Sequence, residues 1–235
     1  MRTVSPAPGP AVGAPVPGDR TRSRAWSAVA AVEAVLAAAA VLLDLLIPSL
    51  VMLALAAISL AVRHRGPGSL GLTRFRGTAL VAKLFVLALA WSAFQLALTM
   101  PIANHVSGQK RDLSVFEDLQ GNVGMLAVLL VLGWVLGALA EEVAYRGYLF
   151  TRVRDACGAG RAGLVAAVVL SSVLFGIAHS EQGLIGVVVV TIDGLYFSAL
   201  RLHYRTLWAS VLAHGFNNTI GFVAFFLVGP MYGLW

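Results

Sequence analysis

Long apolar stretches dominate the chain. They fall at roughly 26–43, 45–62, 78–100, 123–140, 162–178, 183–200 and 206–229, and the fourth is open to extension to about 150. At 1.5 Å per residue, 18 helical residues reach about 27 Å, close to the ~30 Å hydrocarbon core of a bilayer. The pattern therefore predicts an all-α, polytopic bundle of about seven transmembrane helices. Read as one helix, 26–62 would be about 55 Å long, nearly two bilayer cores, so a hairpin turning near Asp44 and Pro48 is expected. Residues 1–24 are different. Pro6, Pro8, Pro10, Pro15 and Pro17 interrupt a stretch with no apolar period, which predicts a disordered tail ahead of a transmembrane domain over 25–235. Arg20, Arg22 and Arg24 before the first run resemble a signal peptide, but a second long run follows at once, so a retained anchor is expected.

Composition narrows the class. The 235 residues are 59% hydrophobic and 12% charged, with mean hydropathy +0.84. Soluble domains carry about 45–50% apolar and about 25% charged residues, so a water-soluble domain is excluded, as is chain-wide disorder. The single cysteine, Cys157, excludes a disulfide scaffold.

The net charge of +6 and pI of about 10.1 read as topology signals rather than as a nucleic-acid footprint. With the N-terminus inside, the inner segments hold Arg2, Arg20, Arg22, Arg24, Arg63, Arg65, Arg74, Arg76, Arg146, Arg152, Arg154, Arg161, Arg201 and Arg205. The outer ones hold Lys110 and Arg111. Fourteen against two predicts N-in, C-out, in the plasma membrane, with the lipid bilayer as a partner and no nucleic acid.

Charged groups in a bilayer cost at least about 2.5–3.5 kcal/mol, so each calls for a partner or a purpose. Three clusters stand out. In Ala140-Glu141-Glu142-Val143-Ala144-Tyr145-Arg146, Glu142 and Arg146 share a helix face and can pair, while Glu141 turns about 100° away. Phe175-Gly176-Ile177-Ala178-His179 closes the fifth run. His214-Gly215-Phe216-Asn217-Asn218 lies inside the seventh, with His214 and Asn218 on one face, about 6 Å apart along the axis. Interfacial salt bridging and interhelical hydrogen bonding are the plain structural readings.

Taken together, these groups supply a carboxylate, two imidazoles and a carboxamide on three helices. A carboxylate or imidazole can take a proton from water, and an imidazole with an amide can stabilise an oxyanion. Alternatively, Glu141, His179 and His214 could hold one divalent metal such as zinc. Glu33 and Lys83 are expected to pair across the first and third spans, and Asp193 to face the same cavity or a neighbouring helix. Lys110, Arg111, Asp112, Glu117 and Asp118 read as a solvated outer loop.

Glu-Glu-x-x-x-Arg, Phe-x-x-x-His and His-x-x-x-Asn, in that order on successive apolar helices, resemble the CPBP family of CAAX proteases and bacteriocin-processing enzymes, also called the Abi family. The resemblance covers about 70–225, and Leu70-Gly71-Leu72-Thr73-Arg74 looks like the loop before the family core. It implies an intramembrane endopeptidase acting on a peptide or protein substrate in or at the membrane. Glu141 with His179 would activate water, and His214 and Asn218 would form the oxyanion site. His214 would instead ligate a metal in a metalloprotease. Glu142, Arg146 and Phe175 would support them. An ion- or proton-coupled transporter, or a non-catalytic immunity or scaffold protein on the same fold, are the alternatives. One geometric condition attaches. A fourth helix ending at 140 would put Glu141 and His179 at opposite membrane faces, so that helix is expected to run on to about 150 and the site to lie in a water-filled cavity.

Overall fold

The computed structural model describes residues 17–73 and 77–235. Most of the expected tail, like Arg74 and Arg76, lies outside these residues. Seven apolar helices carry the described chain: α1 (Pro17–Leu42), α2 (Pro48–Val62), α3 (Thr78–Ser107), α4 (Val123–Cys157), α5 (Arg161–Ile177), α6 (Gly183–Tyr204) and α7 (Leu207–Val228). Among the described residues, five candidate spans are long and apolar enough to cross a membrane: Arg24–Leu42, Thr78–Ser107, Val123–Cys157, Ser180–Tyr204 and Leu207–Val228. Helices α2 and α5 are shorter apolar helices. The protein is an integral, multi-pass membrane protein.

The hairpin between α1 and α2 forms where Pro48 restarts the helix. Asp44 and Leu46 adopt φ of 46° and 54° in the turn between them. The expected Glu33–Lys83 pair does not form. Glu33 instead pairs with Arg63 of α2 at 3.2 Å and Arg152 of α4 at 3.5 Å, and accepts from Ser59 Oγ at 3.0 Å, while Lys83 is exposed. The reason is geometric. The α1 face that carries Glu33 packs on α2 and the lower end of α4, where two guanidinium groups already need an anion.

Helix α4 starts near the expected residue and continues past 140 to Cys157, so Glu141 lies near its middle. Over Gly133–Leu149 it widens into a π-helix. Such stretches are rare and concentrate at functional sites. Close approach of the other helices depends on glycine. At Gly176 of α5 a Cβ would fall 2.0 Å from Thr191 Oγ1 of α6. At Gly194 of α6 it would fall 2.8 Å from the Ser172 backbone of α5. Helices in lipid associate by tight packing of this kind, because the hydrophobic effect gives no preference between helix and lipid.

The loop before α3 is pinned to the core. Gly71 takes φ +95°, and its carbonyl accepts from Leu207 N–H, one of the unpaired donors at the start of α7, at 2.8 Å. Arg201 donates to the Leu70 carbonyl at 3.2 Å, and Trp208 Nε1 to that of Thr73 at 3.0 Å.

Candidate active site

A cavity of about 660 Å³ opens between α3, α4 and α7, with α5 and α6 behind it. Glu141, Phe175, His179, His214 and Asn218 all line it. Residues 38 and 35 positions apart along the chain thus meet in one space, as the motif order required.

Glu142 points away from the cavity into the protein. Its Oε1 accepts from Arg146 NH1 at 3.0 Å and from His214 Nδ1 at 2.9 Å, and both charged side chains are fully buried. The π-helical α4 keeps residues four apart on one face, so the predicted Glu142–Arg146 pair forms. Arg146 lies 4.0 Å above the Phe175 ring, and a buried cation gains from such a face. The His214 ring stacks on Phe197 at 4.7 Å, with Phe175 edge-on at 5.8 Å. Aromatic walls and Glu142 together fix His214 in orientation. A carboxylate only accepts, so Nδ1 carries the proton and Nε2 faces Glu141, whose Oε2 is 3.9 Å away.

His179 ends α5. Its Nδ1 is 2.8 Å from the Phe175 carbonyl, which can only accept, so Nδ1 donates and Nε2 is the nitrogen left for chemistry. Asn218 reaches α4 from α7, where its Nδ2 donates to the Gly133 carbonyl at 3.2 Å. A Cβ at Gly137 would fall 2.8 Å from that Nδ2, so two glycines of α4 make the recess that holds the amide.

The expectation of a zinc-type metal on Glu141, His179 and His214 is corrected by this arrangement. Among the described residues no three His, Cys, Asp or Glu side chains are grouped to hold one ion. Glu141, His179 and His214 line a shared cavity without forming such a group.

The sequence reading missed several groups. For Asp193 both readings hold: it faces the cavity and bonds to a neighbouring helix, its Oδ1 accepting from Trp91 Nε1 at 2.7 Å and from Gln95 Nε2 of α3, partners that the sequence does not name. Asn217 accepts from Ser92 Oγ at 2.7 Å. Arg111 is not part of a solvated loop. It lines the cavity and donates through Nε and NH2 to the Gln182 side-chain oxygen, while Asp112 N–H donates to the Gln182 carbonyl at 3.0 Å. Burial pulls the Arg111 guanidinium below its ordinary value, opposed by the Asp193 and Glu181 carboxylates. Charge alternation in the outer loop gave no sign of this, because the fold decides which of its residues turns inward.

Residues 123–220, which contain all three motifs, match the family described as type II CAAX prenyl endopeptidase Rce1-like. YdiL of Bacillus subtilis (strain 168), named as a presumed membrane peptidase, is 24% identical over 126 residues, 54% of this chain and 49% of that protein. The match thus spans about half the length of this curated relative. No solved structure matches the chain. Over 123–220, less than half of the chain, the helical core that carries the motifs is thus similar to the Rce1-like CAAX prenyl endopeptidase family.

Proposed function

We propose that this protein is an intramembrane endopeptidase that cleaves a peptide bond with water activated by Glu141 and His179. The observation that carries the reading is that Glu141, His179, His214 and Asn218, brought by α4, the end of α5 and α7, line one cavity. Glu141 Oε2 and His214 Nε2 are 3.9 Å apart, a separation that one water could bridge. Glu141 takes its proton as it attacks the scissile carbonyl. His179, with Nδ1 tied to Phe175, offers Nε2 to orient that water or to carry the proton to the leaving amine. His214, held through Nδ1 by Glu142, can carry a second proton on Nε2 and donate it towards the developing oxyanion. The Asn218 amide keeps one N–H on Gly133 and has a second to give. Glu142 and Arg146 hold His214 in place, and Phe175 supplies both the His179 acceptor and the face under Arg146.

The substrate on this reading is a peptide or protein segment in or at the bilayer. The seven-span, N-in arrangement belongs to the same proposal and is supported by the seven helices and by the thirteen-to-two bias of basic residues that remains once the buried Arg146 is set aside.

The test compares membranes carrying the wild type with Glu141→Gln and His179→Ala forms by quantitative proteomics. An uncleaved substrate accumulates in both variants, with turnover reduced at least about a hundredfold. Unchanged turnover in either variant removes that residue from the mechanism. A substrate-dependent ion flux in proteoliposomes without cleavage would favour a transporter instead.

A further inference from the structure

Residues 229–235 leave the end of α7 and run back along α3 outside any helix. Asn104 Nδ2 donates to the Tyr232 carbonyl at 2.6 Å. Gly233 takes φ +116° against Pro101, where a Cβ would fall 2.8 Å from the ring, so only glycine fits. Leu234 N–H then donates to the Leu96 carbonyl at 3.0 Å, and Trp235 Nε1–H to the Ala97 carbonyl at 2.9 Å.

These carbonyls are available because of the α3 sequence. Pro101 has no N–H and cannot bond to the carbonyls a turn behind it, and α3 passes through a π turn at Gln95–Thr99 at the same place. Backbone acceptors inside a membrane must be satisfied, so α3 requires donors from another segment. Residues 234–235 provide them. Their hold is mostly these hydrogen bonds, since the Leu234 and Trp235 residues are each 67% exposed.

The acceptors adjoin the site. Leu96 lines the same cavity as Glu141, His179 and His214, and Met231 of the strap lines it too. The strap therefore lies as an extended peptide would lie on its way to those residues.

We propose that the Leu96 and Ala97 carbonyls form a docking site for an extended peptide substrate, and that residues 229–235 occupy it in cis and must leave before the substrate is admitted. The inference rests on the peptidase reading and adds the route by which a peptide reaches the site. Substrate N–H groups replace those of Leu234 and Trp235, so α3 is never left unpaired.

The probe is a fluorescein-labelled peptide with the sequence of residues 229–235, added to the protein in detergent micelles. Two variants free the site: one ends at Val228, and the other is the full chain with Leu234→Pro and Trp235→Phe, which removes both donors. Both bind the peptide about tenfold or more tightly than the wild type, in keeping with two lost hydrogen bonds. A peptide N-methylated at the leucine corresponding to Leu234 does not bind. Equal binding to wild type and variants, indifference to N-methylation, or loss of the thermal unfolding transition in both variants overturns the proposal. Adding Glu141→Gln to the shortened form leaves peptide binding in place. A shortened form that binds the peptide yet cleaves nothing in a quenched-fluorescence peptide pool counts against the peptidase reading and leaves the docking site standing.

Discussion

Glu141 and Glu142 are neighbours in the chain with opposite surroundings. Glu142 is wholly buried with Arg146 and His214, while the Glu141 side chain keeps 20% of its surface open to the cavity. On the proposed mechanism the pair divides labour accordingly: Glu142 builds the site and Glu141 reacts. Removing one member of a buried ion pair leaves the other uncompensated, at about 3–5 kcal/mol. Arg146→Ala is therefore expected to lower the unfolding midpoint in detergent markedly, whereas Glu141→Gln leaves it close to wild type. Equal midpoints for the two variants would contradict the division. This much was legible in the sequence, because residues four apart on a helix meet whatever the rest of the fold does. That Glu142 also grips His214, 72 positions away, was not legible, since no local spacing encodes it.

At the scale of elements, glycines decide how closely helices approach. Gly176→Val would drive a side chain into Thr191 and the Val187 carbonyl, which lie 2.0 and 2.4 Å from the Cβ position. Overpacking of this kind costs about 1–3 kcal/mol, and a lower midpoint with less folded protein in the membrane is the expected result. Gly137→Ala acts differently. Its methyl group would fall 2.8 Å from the Asn218 amide, the far end of a side chain, with the Leu132 carbonyl at an ordinary 4.0 Å, so peptide cleavage falls by about tenfold or more while the unfolding midpoint stays near wild type. A midpoint that falls in step with activity would assign Gly137 to packing alone. The seven helices could be read from apolar run length, and the continuation of α4 followed from the need to bring Glu141 level with His179. The inward turn of Arg111 and the grip of Trp91 and Gln95 on Asp193 could not be read, because they depend on helix register and on where a loop is pulled by Gln182.

For the whole molecule, the orientation proposed above rests on the distribution of basic residues. The free, exposed Cys157 lies on the side that this distribution places in the cytoplasm. A membrane-impermeant maleimide should label Cys157 in inverted vesicles and not in intact cells. Labelling from outside would reverse the proposed topology.

The α1–α2 hairpin lies wholly outside the 123–220 match, yet it is not an independent appendage. Through Glu33 a single acidic side chain fastens α1 to both Arg63 and Arg152, and Arg152 belongs to the same helix as Glu141. Without the hairpin, Arg152 would keep only Asp155, at 3.4 Å, as a counter-ion. The foot of α4 is thus moored by a part of the protein far from Glu141, so a hairpin tilted by a thinner or thicker bilayer would pull, through Glu33, on the helix that carries this carboxylate.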